Sequence, residues 1–234
     1  MGLFLNYLPI VFGEVMIMSK RDRSGNKRAA RNVATRKPVL GYYLIVTDTE
    51  ETENNYFEGI RNALPEDIRN KIIIKVFRSR TDKLVEACHT CMKELPHIVK
   101  PWIVLDRDQV ENFNNIISKA ESKGIKVGWS NPCIEIWFDA YFGNMHNYQT
   151  SVECCKKFSK QFKKITNKEY EKSDSEIYAL LKEYGDEVSA IKIAELKLQQ
   201  HLKDGNNIPA DMIPCTKVHL LVNEIREKVN KNNY

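Results

Sequence analysis

Two regimes of hydrophobic patterning divide this chain. Between residues 39 and 129, short apolar runs of strand-forming residues recur at 39–47, 71–77, 102–106 and 125–129, each bounded by polar residues. Runs of this length and composition read as strands buried on both faces, as in a parallel sheet. The segments between them change period. Tyr56, Phe57, Ile60 and Leu64, then Leu84, Val85, Cys88 and Met92, then Phe113, Ile116, Ile117 and Ala120, recur at helical spacing. Thr52 is placed to cap the first of these helices, and Pro65 to end it. The second and third helices span 81–95 and 109–122. Strands alternating with helices imply right-handed crossovers, hence an α/β fold in which a parallel four-stranded sheet is sandwiched by helices.

Beyond 129 the strand pattern stops. A helix is expected over 130–142, with Pro132 in its first turn, where a missing N–H costs nothing. Further helices are expected near 151–164, 173–184, 186–203 and 215–230, with Gly185 marking a break. The chain therefore divides into an extension and basic arm (1–38), an α/β domain (39–149) and an α-helical C-terminal region packed on it (150–234).

Carboxylates collect where the strands end. The run Trp102-Ile-Val-Leu leads directly into Asp106-Arg-Asp108, and the first strand runs into Asp48. Crossovers of one hand put these strand ends on one edge of the sheet, where ligands of parallel sheets bind. Close carboxylates repel unless a cation or shared proton relieves them. Hard oxygen ligands of this kind suit Mg²⁺, which takes one or two carboxylates and keeps several waters. The plainer reading is an acidic turn, with Asp108 capping the next helix.

Charge changes the picture at one place. The net charge is +5 over 234 residues, yet the segment 19–38 holds Lys20, Arg21, Arg23, Lys27, Arg28, Arg31, Arg36 and Lys37 against Asp22 alone, so the remainder is slightly acidic. Arg21, Arg23, Lys27, Arg28, Arg31, Arg36 and Lys37 are candidates for sequence-independent phosphate contacts, as is Arg107 between the two aspartates. The alternative is a solubilising tail. Six scattered cysteines without a secreted-domain pattern point to a reducing cytoplasm. The apolar opening segment carries Glu14 and no basic residue before its apolar run, so it meets neither the signal-peptide nor the membrane-span pattern. Met18-Ser-Lys-Arg resembles a natural start, which makes 1–17 an upstream extension or an irregular packing strand.

Four motifs carry a family resemblance. The stretch 45–57 (IVTDTEETENNYF) resembles the opening E-G-x-x-T-E-x-x-Y-F motif of the RloB-like family, and Asp106-Arg-Asp108 its D-x-D. Ser130-Asn-Pro-Cys-Ile-Glu-Ile-Trp137 matches S-N-P-C-F-E-L-W nearly residue for residue. Pro214-Cys-Thr-Lys-Val-His219 is similar to the late P-S-T-x-V-H. RloB-like proteins are similar to Toprim domains, in which a Glu after the first strand and a D-x-D after the third hold Mg²⁺. The resemblance thus implies a Toprim-like sheet and a Mg²⁺- or Mn²⁺-dependent nuclease. RNA, tRNA included, ranks level with DNA as its substrate. It also implies an effector of anti-phage defence beside an AAA-type ATPase partner.

On that resemblance Asp48, Glu53, Asp106 and Asp108 are the metal ligands, and Glu135 and His219 join them as catalytic candidates. The chain departs from the family at Asp48-Thr49, where the family has Glu-Gly. Asp is one methylene shorter, which withdraws its carboxylate by roughly 1.5 Å, and Mg²⁺ demands oxygens at about 2.0–2.1 Å. Either Asp48 replaces the Glu directly, Glu50 or Glu51 reaches in, or the site is weakened. The weakened case defines the alternative function, a Toprim-like module that binds nucleic acid or the ATPase without catalysis.

The other candidates are weaker. Cys88-His-Thr-Cys91 has zinc-ligand spacing but no second ligand pair, and Cys88 reads as a buried small residue. His219, beside Val218 and Leu221, reads equally as a packing histidine. Glu135 either serves the site or accepts hydrogen bonds from the Asn131 turn. No phosphate-binding glycine loop occurs, which argues against a kinase or nucleotide hydrolase.

Overall fold

The computed structural model describes residues 42–49, 51–77, 81–95, 99–108 and 110–232. The extension, the arm and the candidate phosphate-binding residues between Arg21 and Lys37 lie outside the described residues, as does Glu50.

Strands β1 (Tyr42–Thr47), β2 (Ile72–Val76), β3 (Val99–Asp106), β4 (Lys126–Asn131) and β5 (Cys215–Thr216) form one sheet in the order β2-β1-β3-β4-β5. The first four are mutually parallel, and β5 is antiparallel to β4. The sheet is therefore mixed and five-stranded rather than purely parallel with four strands. The added strand falls where a helix from 215 was expected. Pro214 precedes it, Thr216 pairs with Ser130, and the Thr216 side chain then accepts the N–H of Val218, so the helix begins at 218.

Nine α-helices are described: α1 (Thr52–Asn62), α2 (Glu66–Arg69), α3 (Leu84–Glu94), α4 (Phe113–Ser122), α5 (Glu135–Tyr141), α6 (Ser151–Thr166), α7 (Ile177–Tyr184), α8 (Glu187–Lys203) and α9 (Val218–Asn232). Four expectations need correction. The helix expected over 130–142 begins only at Glu135, because β4 continues through Asn131, so Pro132 precedes the helix instead of sitting in its first turn. Thr52 is the first residue of α1, not its cap; its hydroxyl reaches the Lys172 carbonyl instead. Helix α1 ends at Asn62, and Pro65 instead directly precedes the short α2. The third helix starts at Phe113 rather than 109, because Asp108 takes a positive φ of 21° that ends β3 in a turn.

Strand pleating explains why the runs are continuously apolar. Tyr43 and Ile45 of β1 and Trp102 and Val104 of β3 face one core, shared with α1, α5, α6, α7 and α9. Leu44 and Val46, Ile103 and Leu105, and Val127 and Trp129 face the other, shared with α3 and α4. Cys88 is buried in that second core, as its plainer reading expects.

The C-terminal helices are locked by a polar network. Trp137 Nε1 donates to the Tyr56 hydroxyl (2.8 Å), which pairs with the Tyr141 hydroxyl (2.8 Å), and Tyr141 donates to Glu187 (3.1 Å). Gly185 breaks the helical run as expected, and a Cβ there would lie 2.7 Å from the Tyr141 carbonyl. Asp186 then caps α8 through the N–H groups of Val188 and Ser189. Among the described residues no helix is long and apolar enough to cross a membrane.

Candidate functional site

Parallel pairing brings Val46 and Thr47 of β1 level with Ile103 and Val104 of β3, so the residues that follow them emerge side by side. Asp48 follows β1, and Asp106 ends β3. The helix after β1 adds a third acid. Glu53, Tyr56, Phe57 and Ile60 share the buried stripe of α1, so Glu53 points inward and is only 3% exposed. Glu135, the first residue of α5, is fully buried. All four line one cavity of about 610 Å³ at the carboxyl edge of the sheet, together with Asp108, Glu51 and one cation, Lys172.

Each carboxylate is held differently. Asp106 accepts the N–H of Ile134 (3.0 Å) with one oxygen, at the start of α5, and its other oxygen, Oδ1, is buried without a partner. Asp48 accepts from the Thr81 hydroxyl (2.6 Å), and Glu53 from the Thr49 hydroxyl. Glu135 Oε1 accepts from the Tyr170 hydroxyl (2.9 Å), with Lys172 Nζ at 3.7 Å, whereas its Oε2 is buried and unpartnered. Of the two readings of Glu135, hydrogen bonds from the Asn131 turn are not among its contacts: the Asn131 amide donates to the carbonyls of Pro209 and Ala210. Asp108 is exposed at the rim and accepts from the Ser151 hydroxyl (2.5 Å).

Desolvation dominates the electrostatics. Burial pushes Asp106 well above the usual carboxylate range, and the charges of Glu53, Glu135 and Asp48 add to the shift. Burial likewise raises Glu53 to about 7, against the opposing hydrogen bond from Thr49. Asp48 is raised for the same reason, although Thr81 opposes the shift.

Two candidates sit apart from this cluster. His219 does not line the cavity. It lies in the first turn of α9, beyond β5 at the sheet's edge, buried with Nε2 3.0 Å from Glu195. Its burial lowers its pKa. Arg107 turns its guanidinium onto its own turn, donating to the carbonyls of Asp108 and Val110 and lying over the Phe113 ring. It makes no ion pair with either neighbouring aspartate among those described.

The donor set fits a hard divalent cation. It consists of carboxylates, two of which keep a buried, unpartnered oxygen. Six acids face a single lysine, an arrangement that repels itself unless protons or cations enter. The cavity's carboxylates are nonetheless spread out. Among the described residues the one group of three metal-donor atoms within 4.8 Å of one another is Cys133, Glu135 and Cys155. An ion among the aspartates and Glu53 would thus take few carboxylates directly and reach the rest through water, which is the habit of Mg²⁺.

Several supporting residues carried no sequence signal of their role. Thr81, Tyr170 and Lys172 reach the site only through tertiary packing, whereas Thr49 sits beside Asp48 in the chain. Glu53 could have been found without any family motif, as an acid at a core position of a helix whose other stripe residues are aromatic or aliphatic.

The fold and cavity define a mostly parallel α/β protein with an acidic cavity at the carboxyl edge of its two central strands. The chain belongs to the RloB-like protein family, whose model matches residues 43–225. Comparison with curated proteins and with solved structures found no match.

Proposed function

We propose that this chain is a Mg²⁺- or Mn²⁺-dependent phosphodiesterase acting on nucleic acid. The observation that carries the reading is Asp106, a half-buried residue ending a central strand, whose Oδ1 is buried and unpartnered, with Glu53, Asp48 and Glu135 around the same cavity. Asp106, Asp48 and Glu53 would hold the ion, with Asp108 at the rim engaging it through water. Bound there, the ion supplies charge neutralisation and polarises a phosphoryl oxygen or water.

The chain's own residues do the rest. The Ile134 N–H, Thr81 and Thr49 fix the orientations of Asp106, Asp48 and Glu53, so little reorganisation attends ligand binding. Lys172, beside Glu135, is placed to meet negative charge entering the cavity. An anionic phosphodiester would be repelled by the bare acidic lining, so cation and substrate are expected to bind with positive cooperativity. A Toprim-like reading of the sheet agrees with acids after the first and third strands. A defence role with an ATPase partner, and cytoplasmic location, are what family membership suggests.

The test is incubation of the full chain with tRNA, single-stranded RNA and plasmid DNA, in Mg²⁺, Mn²⁺ or EDTA. Metal-dependent cleavage that Asp106→Asn removes is expected; no cleavage of any substrate in either metal would sink the reading. One observation favours a second reading, a binding module with a weakened site. Asp48, shorter than the family's Glu, is drawn toward Thr81. Retained binding of these nucleic acids without cleavage would select it.

A further inference from the structure

Beside the acidic cavity, and sharing one residue with it, lies a cluster of a different chemical character. Cys133 precedes α5, Glu135 opens that helix, and Cys155 sits in the second turn of α6. The packing of α6 against α5 brings the two sulfurs to 4.0 Å, and one donor atom from each of the three residues lies within 4.8 Å of the others. Cys133 and Glu135 are buried, and Cys155 is half-buried, which leaves an approach from solvent.

We propose that Cys133, Glu135 and Cys155 form a second metal site, for a thiolate-preferring divalent ion of the Zn²⁺ type. Three observations carry it. With metal–sulfur bonds of about 2.3 Å, a tetrahedral ion sets its sulfur ligands about 3.8 Å apart, close to the 4.0 Å between Cys133 and Cys155. The third donor is present at matching range and has spare capacity, because Glu135 is fully buried and its Oε2 has no partner. Two sulfurs and one carboxylate select a borderline-soft ion over Mg²⁺, so this site and the all-oxygen cavity beside it would sort different metals. Three protein ligands leave the fourth position to a solvent molecule. The plain alternative is a pair of small buried residues packed between two helices. That alternative accounts for the thiols but not for a fully buried carboxylate beside them that keeps an unpartnered oxygen.

This site is independent of the phosphodiesterase reading, and the test keeps the two apart. The full chain is prepared under reducing conditions, stripped with chelator and titrated with Co²⁺ alone. One equivalent giving thiolate-to-cobalt charge transfer and tetrahedral ligand-field bands, displaced by Zn²⁺, is expected. Cys155→Ala should abolish the charge-transfer band and Glu135→Gln weaken binding, whereas Cys91→Ala and Asp106→Asn should leave the band intact. As a readout that needs no variant, Zn²⁺ should protect Cys155 of the wild-type chain from alkylation, located by peptide mass. Saturating Co²⁺ without a charge-transfer band, a band that survives Cys155→Ala, or alkylation of Cys155 unaffected by Zn²⁺ would each overturn the proposal.

Discussion

Glu53 and Glu187 occupy similar local positions and meet opposite electrostatic fates. Both lie in the first turn of a helix, and both are buried, at 3% and 5% exposure. Around Glu187 the fold supplies a cation. Arg226 reaches it through Nε (2.7 Å) and Nη2 (3.0 Å), and the Tyr141 and Tyr178 hydroxyls add to the shell. Burial pushes Glu187 upward, but Arg226 outweighs it and the group ends below its ordinary value. Around Glu53 the fold supplies one hydroxyl and more carboxylates, and the group rises to about 7. The same side chain is thus compensated where its counter-charge is built in; on the proposed function, it awaits a cation where none is. Glu224, held by Lys100 and Lys126, follows the first pattern.

The largest effect should come from removing the built-in cation. Arg226→Met leaves Glu187 buried and uncompensated, a change that typically costs about 3–5 kcal/mol. Urea denaturation should show this loss, and Glu187→Gln added to it should restore part of the stability. Additive losses in the double variant would mean that the pair is not the unit it looks to be. Next comes the cavity. Asp106→Asn should weaken Mg²⁺ or Mn²⁺ binding by more than about 100-fold, since even the outer partners of metal ligands are worth about 10–100-fold. The same substitution should leave unchanged, or raise, the melting temperature of the metal-free protein, because it removes a repelling acid. Calorimetric titration and a thermal melt in EDTA read the two halves of the prediction, and a fall in the metal-free melting temperature would refute the second.

Much of the sheet was legible because its physics is local. A strand buried on both faces must be apolar throughout, and four such runs separated by helical periods leave few topologies. The acid at the end of β3 was legible for the same reason, as a charge at the mouth of an apolar run. The local pattern misleads where tertiary pairing overrides it. Cys215 and Thr216 fit the helix that follows them until β4 offers Ser130 and Asn131 as partners. His219 fits a family motif, yet the strand before it carries it to the edge of the sheet, away from β1 and β3. The bond from Ser151 to Asp108 spans more than forty residues, and nothing in either local sequence announces it.

The pH dependence sharpens the comparison further. Glu53 is raised from an ordinary 4.5 to about 7 in the folded protein, so between those values the folded state binds a proton that the unfolded state has released. Stability from this group is therefore greatest below about pH 4.5, falls as pH rises toward 7 and is flat above. The total change is up to about 3 kcal/mol. Denaturation in EDTA at pH 5 and pH 8 should show the loss in the wild type and a flatter response in Glu53→Gln. Saturating Mg²⁺ should restore stability at pH 8, through linkage to the folded state. A wild type equally stable at both pH values in EDTA would contradict the assignment.

The smallest expected effect tests the family departure itself. Asp48 takes the place of a longer acid and accepts a hydrogen bond from Thr81, which orients it at the cavity wall. Asp48→Glu adds one methylene, extending the carboxylate by roughly 1.5 Å in a cavity with room for it. The longer side chain should bind Mg²⁺ as well as the wild type or up to about tenfold tighter, a gain of about 1.4 kcal/mol. Thr81→Ala separates reach from orientation. It frees the Asp48 carboxylate and removes a hydrogen bond that favours the charged form, so the group should rise further in pKa. Metal binding should then weaken at pH 6 more than at pH 8, where proton competition fades. In the Asp48→Glu background, Thr81→Ala should matter less if reach is what the wild type lacks. Should Asp48→Glu instead bind more weakly than the wild type while Thr81→Ala changes nothing, position 48 would contribute no ligand, leaving Glu53 and Glu51 as the acids that complete the site with Asp106.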